Sequence, residues 1–360
     1  MSLNDYIMLV MGIGVLIGGI DRIFNNRFGL GEQFEEGFMC LGSTALSIVG
    51  IICISPLLSS LLSPIIVPLY HLIGADPSMF ASIFAIDMGG YPLAMELAET
   101  PLVGAFSGVI VSTMLGATIV FTIPTGLGII AKKYHANFAK GLLIGLIPIP
   151  IGSFVGGLMM GLSVNQLLLN SIPTILIALF LMIGLIYKQE IMVKGFLVFG
   201  TFIKVITTIG LMLAAFTYLT GITTIPNMPD IMSAMETTSS ICIVLLGSLP
   251  LVHLLLKSLQ KPFEQLGEKL SLNGASIAGI LFSCISVFPV FKLFPEMNNR
   301  GQIVCTAFFV SSIAVFAAHL GYTAGVAPEY LACMIVAKLC SGFLGIILAL
   351  FFTRTHSTLS

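Results

Sequence analysis

The stretch FAIDMGGYPLAMELAET, residues 84–100, interrupts an apolar run with a carboxylate, two adjacent glycines and a proline. Gly89, Gly90 and Pro92 predict a break in any helix that passes through this region. Non-helical backbone is tolerated at membrane depth only where protein or a water-filled cavity satisfies it. Because Asp87 lies at the break, the stretch predicts a polar site inside a membrane-embedded fold.

The composition agrees with a membrane protein. Of 360 residues, 57% are hydrophobic and 9% are charged, and tryptophan is absent. Soluble domains carry about 25% charged residues, so this chain could not cover a soluble surface. The polar–apolar alternation of a membrane β-barrel is missing. We therefore predict an all-α polytopic membrane protein whose main partner is the lipid bilayer. The net charge of −1 gives no case for a nucleic-acid partner.

Eleven apolar segments are long enough to enter a bilayer, and short connections join them. They cover residues 6–22, 37–59, 78–98, 103–129, 139–163, 168–187, 195–219, 236–257, 273–294, 303–322 and 330–353. If all eleven crossed, the Lys- and Arg-containing loops would lie on both sides of the membrane. If segments 78–98 and 273–294 are re-entrant, every basic loop falls on one side, as cytoplasmic loops should. We therefore predict about nine crossings and two re-entrant or broken segments.

Short matches recur along the chain at a spacing of about 198 residues. SLLSP at 60–64 resembles SLQKP at 258–262, and Pro92 and Glu99 match Pro289 and Glu296. With nine crossings the two copies have opposite orientation, a plan common among transporters. We predict two inverted repeats of five hydrophobic segments plus a linking helix. The corresponding units are repeat A (1–165), the linking helix (166–190), repeat B (191–354) and a cytoplasmic tail (355–360).

Asp87 is the strongest candidate for a binding residue. An intramembrane carboxylate is costly and suits a small cationic substrate, which would donate a charge-assisted hydrogen bond. The backbone of Gly89 and Gly90, or a hydroxyl such as that of Thr118 or Tyr91, could take the other end of the ligand. Alternatively, Asp87 caps a half-helix or pairs with a buried lysine, for which Lys204 and Lys338 are the candidates.

Further carboxylates cluster where apolar segments begin. Glu35 and Glu36 precede the second segment, and Glu236 precedes the eighth. They could attract or bind an amine, or they could be solvated acids that the helix dipole favours at helix N-termini. His319, near one end of its segment, could relay protons or make a structural hydrogen bond.

Several functional classes lack their motifs. There is no GxxxxGK(S/T) phosphate loop, no GxSxG or HExxH signature and no metal-ligand spacing among the cysteines. We therefore expect neither an enzyme nor an ATP-driven pump, and no cofactor or metal.

Five blocks resemble the EutH family of ethanolamine permeases over essentially the whole chain. The blocks are GEQFEEGFMCLGSTALSIVG, GADPSMFASIFAIDMGGYPLA, TIVFTIPTGLGII, LIPIPIGSFVGGLM and SSICIVLLGSLPLV. The resemblance implies ethanolamine as substrate, a part in bacterial ethanolamine utilisation and a place in the bacterial inner membrane. It also points to Glu35, Glu36, Asp87, Gly89, Gly90 and Glu236, without giving them roles.

Four functions compete at this stage. The first is a permease that works by alternating access of one repeat against the other. The second is a channel-like facilitator of the same substrate. The remaining two are a membrane enzyme acting on amino-alcohol head groups and a structural subunit. The sequence leaves open whether the protein forms a homo-oligomer.

Overall fold

The computed structural model describes residues 2–84 and 90–353. Within these ranges all regular structure is helical. Eight helical stretches of this part of the chain are long and apolar enough to cross a membrane. The predicted all-α polytopic class is therefore confirmed. Asp87 and Gly89 lie outside the described residues.

The first half of the chain contains both long helices and short ones. Its helices are α1 (Leu3–Ile23), α2 (Leu30–Met39), α3 (Leu41–Leu72), α4 (Gly90–Leu97), α5 (Pro101–Ala105), α6 (Ile123–Ile129), α7 (His135–Leu146) and α8 (Ile149–Met160). A 3₁₀ turn, Pro77–Phe80, precedes α4, and two π-helical stretches, Phe106–Gly116 and Thr118–Thr122, connect α5 to α6.

The second half follows a similar plan. Its helices are α9 (Val164–Tyr187), α10 (Gln189–Thr220), α11 (Ile231–Lys269), α12 (Gly274–Ser283), α13 (Val287–Leu293), α14 (Asn299–Ser312), α15 (Ala318–Val326) and α16 (Leu331–Phe352). Helix α9 occupies the place of the predicted linking helix.

Two helices extend beyond the predicted apolar segments. Helix α3 continues to Leu72 although it contains Pro56, Pro64 and Pro68. Serine hydroxyls bond carbonyls one turn back in this region, as Ser63 does to the carbonyl of Ser59 at 2.6 Å, and such bonds help a membrane helix tolerate proline. Helix α11 likewise continues to Lys269 through residues predicted as a loop.

Two broken segments each have their two ends close together. In broken segment A (residues 77–97), the Asp76 carboxylate before it accepts a hydrogen bond at 3.2 Å from the Glu99 N–H after it. In broken segment B (residues 274–296), the Asn273 amide before it donates to the Glu296 carbonyl at 2.8 Å. In each case the residues that flank the segment are therefore close to each other.

A third break was not predicted. The apolar segment 303–322 is divided into α14 and α15 by residues 313–317. Ala314 has a φ of 52° and its N–H donates to the Ser283 carbonyl at 2.9 Å, while Phe316 N–H donates to the Cys284 carbonyl at 3.1 Å. The tip of broken segment B thus satisfies the backbone of the break, which explains how the break can be buried.

Glycines let the long helices approach closely. A Cβ on Gly210 of α10 would clash with the Gly50 carbonyl of α3, and one on Gly14 of α1 would clash with the Gly247 carbonyl of α11. Small residues at helix contacts drive association in membranes, where lipid removes the usual hydrophobic drive. Helix α10 thus packs on α3, and helix α1 packs on α11, each pair joining the two halves of the chain.

The loops gather at two ends of the bundle. At one end, Asn137 donates to Gln302 at 2.7 Å, Asn298 donates to the Ser271 carbonyl at 2.9 Å, and Arg300 contacts Thr353 at 3.3 Å. This is the basic end, because the lysines of 132–140, 257–269 and 292 lie around these residues.

The opposite end collects the remaining loops. The N-terminal Asn4 bonds the Ala332 N–H at 3.1 Å and also contacts the carbonyl of Glu329. The Asp76 N–H donates to the Asn170 amide oxygen at 2.8 Å. The N-terminus and the connections near 76, 99, 163 and 329 thus carry acidic or neutral residues.

Candidate functional site

A buried polar cluster lies beside the third break, between α16, α15 and the first π-helical stretch. At its centre is Lys338 of α16, which is 0% exposed. Its Nζ donates to the Thr113 carbonyl at 2.5 Å and lies 3.0 Å from His319 Nδ1. We call Lys338, Thr113 and His319 the central cluster.

Thr113 belongs to the first π-helical stretch. The wider turn of a π-helix is rare and often marks a functional site. The Thr113 hydroxyl donates to the Val109 carbonyl at 2.7 Å, while its own carbonyl, with two lone pairs, accepts from Lys338. Lys338 therefore connects α16 to this stretch through the backbone.

His319 begins α15 directly after the third break and is 2% exposed. Its Nδ1 also lies 2.9 Å from the Ile313 carbonyl. Nδ1 can donate to that carbonyl or accept from Lys338, and it cannot do both at once. The tautomer or charge of His319 is therefore coupled to the position of the proton on Lys338.

The first described residues after Asp87 and Gly89 pack close to this region. Gly90 is buried, and the Tyr91 N–H donates to the hydroxyl of the fully buried Tyr322 at 3.1 Å. A Cβ on Gly108 would lie 2.5 Å from the Tyr91 Cα. The start of α4 is thus held between α15 and the π-helical stretch that also carries Thr113.

The three glutamates do not join this cluster. Glu35 is half exposed and pairs with Arg22 at 2.6 Å, while Glu36 is exposed beside a cavity at the basic end. Glu236 is exposed on α11. Gly37 of α2 packs on the backbone of Leu245 in α11. Glu236 lies nine residues before Leu245, about 13 Å away along the helix, so it is far from Glu35 and Glu36.

The two candidate lysines differ sharply in burial. Lys338 is enclosed, whereas Lys204 is exposed near the middle of α10. Among the described residues, the ion pairs are Arg22–Glu35 and His71–Glu99, and neither includes a lysine. The structure therefore brings Gly90, His319 and Lys338 into one region and leaves Lys204 outside it.

A smaller polar cavity of about 270 Å³ lies at the opposite end, beside the point where broken segment A begins and ends. It is lined by His71, Asp76, Glu99, Gln166 and Asn170, among others. Asp76 is committed to backbone N–H groups, and Glu99 contacts His71 at 2.5 Å. These contacts hold the ends of the broken segment together.

Sequence reasoning missed two members of the buried region. Thr113 acts through its carbonyl, which no side-chain motif reveals. Tyr322 could have been found, because it follows His319 by three residues and so shares its helical face. No group of three metal-ligating side chains occurs among residues 2–84 and 90–353.

The family profile described as "Ethanolamine utilisation protein, EutH" matches residues 3–352. The chain belongs to the EutH family. A EutH relative in Listeria monocytogenes, named "Probable ethanolamine permease EutH", is 46% identical over 343 residues, covering 95% of this chain and 92% of the relative.

Two other EutH relatives align over almost the full length. The protein with the same name in Escherichia coli is 36% identical and covers 95% of this chain and 93% of its own. "Uncharacterized protein YxeR" of Bacillus subtilis is 39% identical, covering 99% and 97%. The Listeria and Escherichia names describe permeases, and the family is one of permeases and not of enzymes. No solved structure matches the chain.

Proposed function

We propose that the chain is a permease that takes up ethanolamine across the bacterial inner membrane for ethanolamine utilisation. The observation that carries this proposal is full-length similarity to relatives named as probable ethanolamine permeases. The geometry supports it, because polar groups buried among apolar helices are costly and therefore usually mark a functional site.

The substrate site in this proposal includes the residues between Phe84 and Gly90. Asp87 binds the ammonium, and the backbone of Gly89 and Gly90 receives the hydroxyl. Support comes from the flanking residues, since Tyr91 is fixed by Tyr322 in the region of the central cluster. In this arrangement, His319 and Lys338 provide polar groups near the substrate.

Glu35, Glu36 and Glu236 have a peripheral part in this proposal. They are exposed, and Glu35 is already paired with Arg22. Their negative charge raises the local concentration of a cation near the ends of the bundle. Lys204, exposed on α10, takes no part in the site.

The transport mechanism we propose is alternating access of two inverted repeats, 1–165 and 191–354, joined by α9. The glycine contacts support the duplication. Gly50 and Gly247 occupy matching positions of α3 and α11, while Gly210 and Gly14 occupy matching positions of the peripheral helices that pack on them. The bonds Asp76–Glu99 and Asn273–Glu296 also recur at one spacing.

The membrane topology in this proposal has nine crossings and two re-entrant segments, with the basic end in the cytoplasm. Eight crossings are single long helical stretches, and the ninth is the broken pair α14–α15. The adjacent ends of broken segments A and B support re-entry, A from the outside and B from the cytoplasm. The lysine distribution supports the orientation.

Uptake of labelled ethanolamine into proteoliposomes tests the proposal. A permease predicts saturable uptake and counterflow, in which unlabelled substrate inside accelerates entry of label. A channel-like facilitator predicts uptake without counterflow, and an enzyme predicts chemical change of the label. Absence of uptake by a folded, correctly inserted protein would refute the function. Imposing a pH gradient in the same assay reports whether protons are coupled.

A further inference from the structure

A cavity of about 680 Å³ opens at the basic end between three elements. Helix α11 lines it with residues spaced as one helical face, helix α2 contributes its first turns, and broken segment B forms the far wall. The cavity extends from the loops of the basic end to the tip of segment B near Ser286.

Charged groups of both signs line this cavity. Lys257 and Lys292 are exposed, Glu36 is exposed on the facing helix, and His253 lies one turn before Lys257. None of these four forms an ion pair with another part of the chain that the structure describes. The mouth of the cavity therefore offers two cations and one carboxylate.

The inner wall of the cavity is apolar. It includes Leu256, Leu281 and Ile285, together with the rings of Phe282 and Phe288, which are 38% and 48% exposed. Apolar surface below charged surface matches the order of a phospholipid, whose head group lies above its acyl chains. Basic pockets between membrane helices on the cytoplasmic side are known to hold lipid head groups.

We propose that this cavity binds one phospholipid whose head group carries both a phosphate and a primary ammonium, as phosphatidylethanolamine does. Lys257 and Lys292 bind the phosphate, and Glu36 accepts hydrogen bonds from the ammonium. An acyl chain lies against Phe282 and Phe288. The lipid site shares Glu36 with the peripheral carboxylates described above, but its occupancy by a lipid does not depend on the transport function.

The charge pattern selects among lipids. A phosphatidylglycerol head group would satisfy the lysines but would leave Glu36 without a cation. A phosphatidylcholine head group has no N–H to donate to Glu36. A soluble phosphate ester would leave the apolar wall uncovered, so the acyl chains should contribute to binding.

The test measures lipids retained by the purified full-length protein from an equal mixture of the three lipids, by native mass spectrometry. The parent should retain phosphatidylethanolamine about tenfold more than the other two, a ratio that corresponds to about 1.4 kcal/mol. Glu36→Gln should remove the preference over phosphatidylglycerol. The double variant Lys257→Gln/Lys292→Gln should retain neither phosphatidylethanolamine nor phosphatidylglycerol.

Matched controls lie on the same helices but outside the cavity. Glu32→Gln on α2 and Lys269→Gln at the end of α11 should retain lipid as the parent does. Thermal melting in detergent checks that every variant is folded. Equal retention of the three lipids, or equal effects of Glu36→Gln and Glu32→Gln, would overturn the proposal. Displacement of the lipid by soluble phosphoethanolamine at comparable concentration would overturn the lipid assignment.

Discussion

Lys338 Nζ lies 3.0 Å from His319 Nδ1, so that a fully buried lysine of α16 is joined to the first turn of α15 beyond the third break. Lys338 also donates to the Thr113 carbonyl. One side chain thus connects α16, α15 and the first π-helical stretch. The contact places the Lys338 amine, charged or neutral, among apolar helices, and membrane proteins seldom keep such a group without a function.

Replacing Lys338 should impair transport more than folding. Lys338→Met keeps most of the volume and removes the donor to Thr113 and His319, which costs about 1.5–3 kcal/mol if the donor is charged. We expect uptake of ethanolamine to fall by about tenfold or more, measured in proteoliposomes at equal protein content. Lys140→Met is the control, because Lys140 is exposed and occupies the matching place in the proposed repeat A. Uptake within twofold of the parent would show that Lys338 has no transport role.

Removing the charge of Asp87 should abolish most binding. In Asp87→Asn the ammonium loses its counter-ion, and breaking one side of a buried ion pair costs about 3–5 kcal/mol. Calorimetry on purified protein should therefore show little or no ethanolamine binding. Asp230→Asn is a suitable control, because Asp230 precedes α11 and makes no side-chain capping bond. If the Asp87 variant is folded and binds with parent affinity, the substrate site lies elsewhere.

A methyl group on Gly108 should disturb the start of α4. The added Cβ would lie 2.5 Å from the Tyr91 Cα, too close for any real contact, so α4 must move away from the π-helical stretch. We expect Gly108→Ala to reduce ethanolamine uptake severalfold. Gly128→Ala, in the same long segment, has no neighbour within 4 Å of its Cβ and should behave as the parent. Equal uptake by the two variants would argue against a role for this contact.

The hydroxyl of Tyr322 should contribute to stability. Tyr322→Phe leaves the Tyr91 N–H without its partner, and an unsatisfied buried donor costs about 1–3 kcal/mol. We expect a lower melting temperature in detergent, measured by the fluorescence of an added dye. Tyr218→Phe, at an exposed position of α10, should melt as the parent does. An unchanged melting temperature for Tyr322→Phe would mean that the Tyr91 N–H finds another acceptor.

Cysteine labelling should place the loops on two sides of the membrane. In a cysteine-free background, single cysteines at positions 72 and 100 should react with an impermeant reagent applied from outside whole cells. Cysteines at positions 271 and 298 should react only after the membrane is permeabilised. Labelling of 72 and 100 from opposite sides would contradict re-entry of broken segment A.

The sequence determined the class of fold. Apolar segments of about 20 residues have few alternatives to membrane helices, because lipid cannot hydrogen-bond an exposed backbone. The break predicted at Asp87 and Gly89 lies outside the described residues and stays a prediction. The ends of two helices were predicted wrongly, because α3 and α11 continue through prolines and polar residues that resemble loops.

The tertiary structure alone decided the third break and the central cluster. Nothing in SSIAVFAAH, residues 311–319, disfavours a helix, and the break exists because the tip of broken segment B supplies carbonyls to Ala314 and Phe316. Lys338 and Thr113 are 225 residues apart and meet through a backbone carbonyl, which has no sequence signature. Local propensity is encoded by neighbours along the chain, whereas a buried hydrogen bond depends on which distant groups the packing brings within 3 Å.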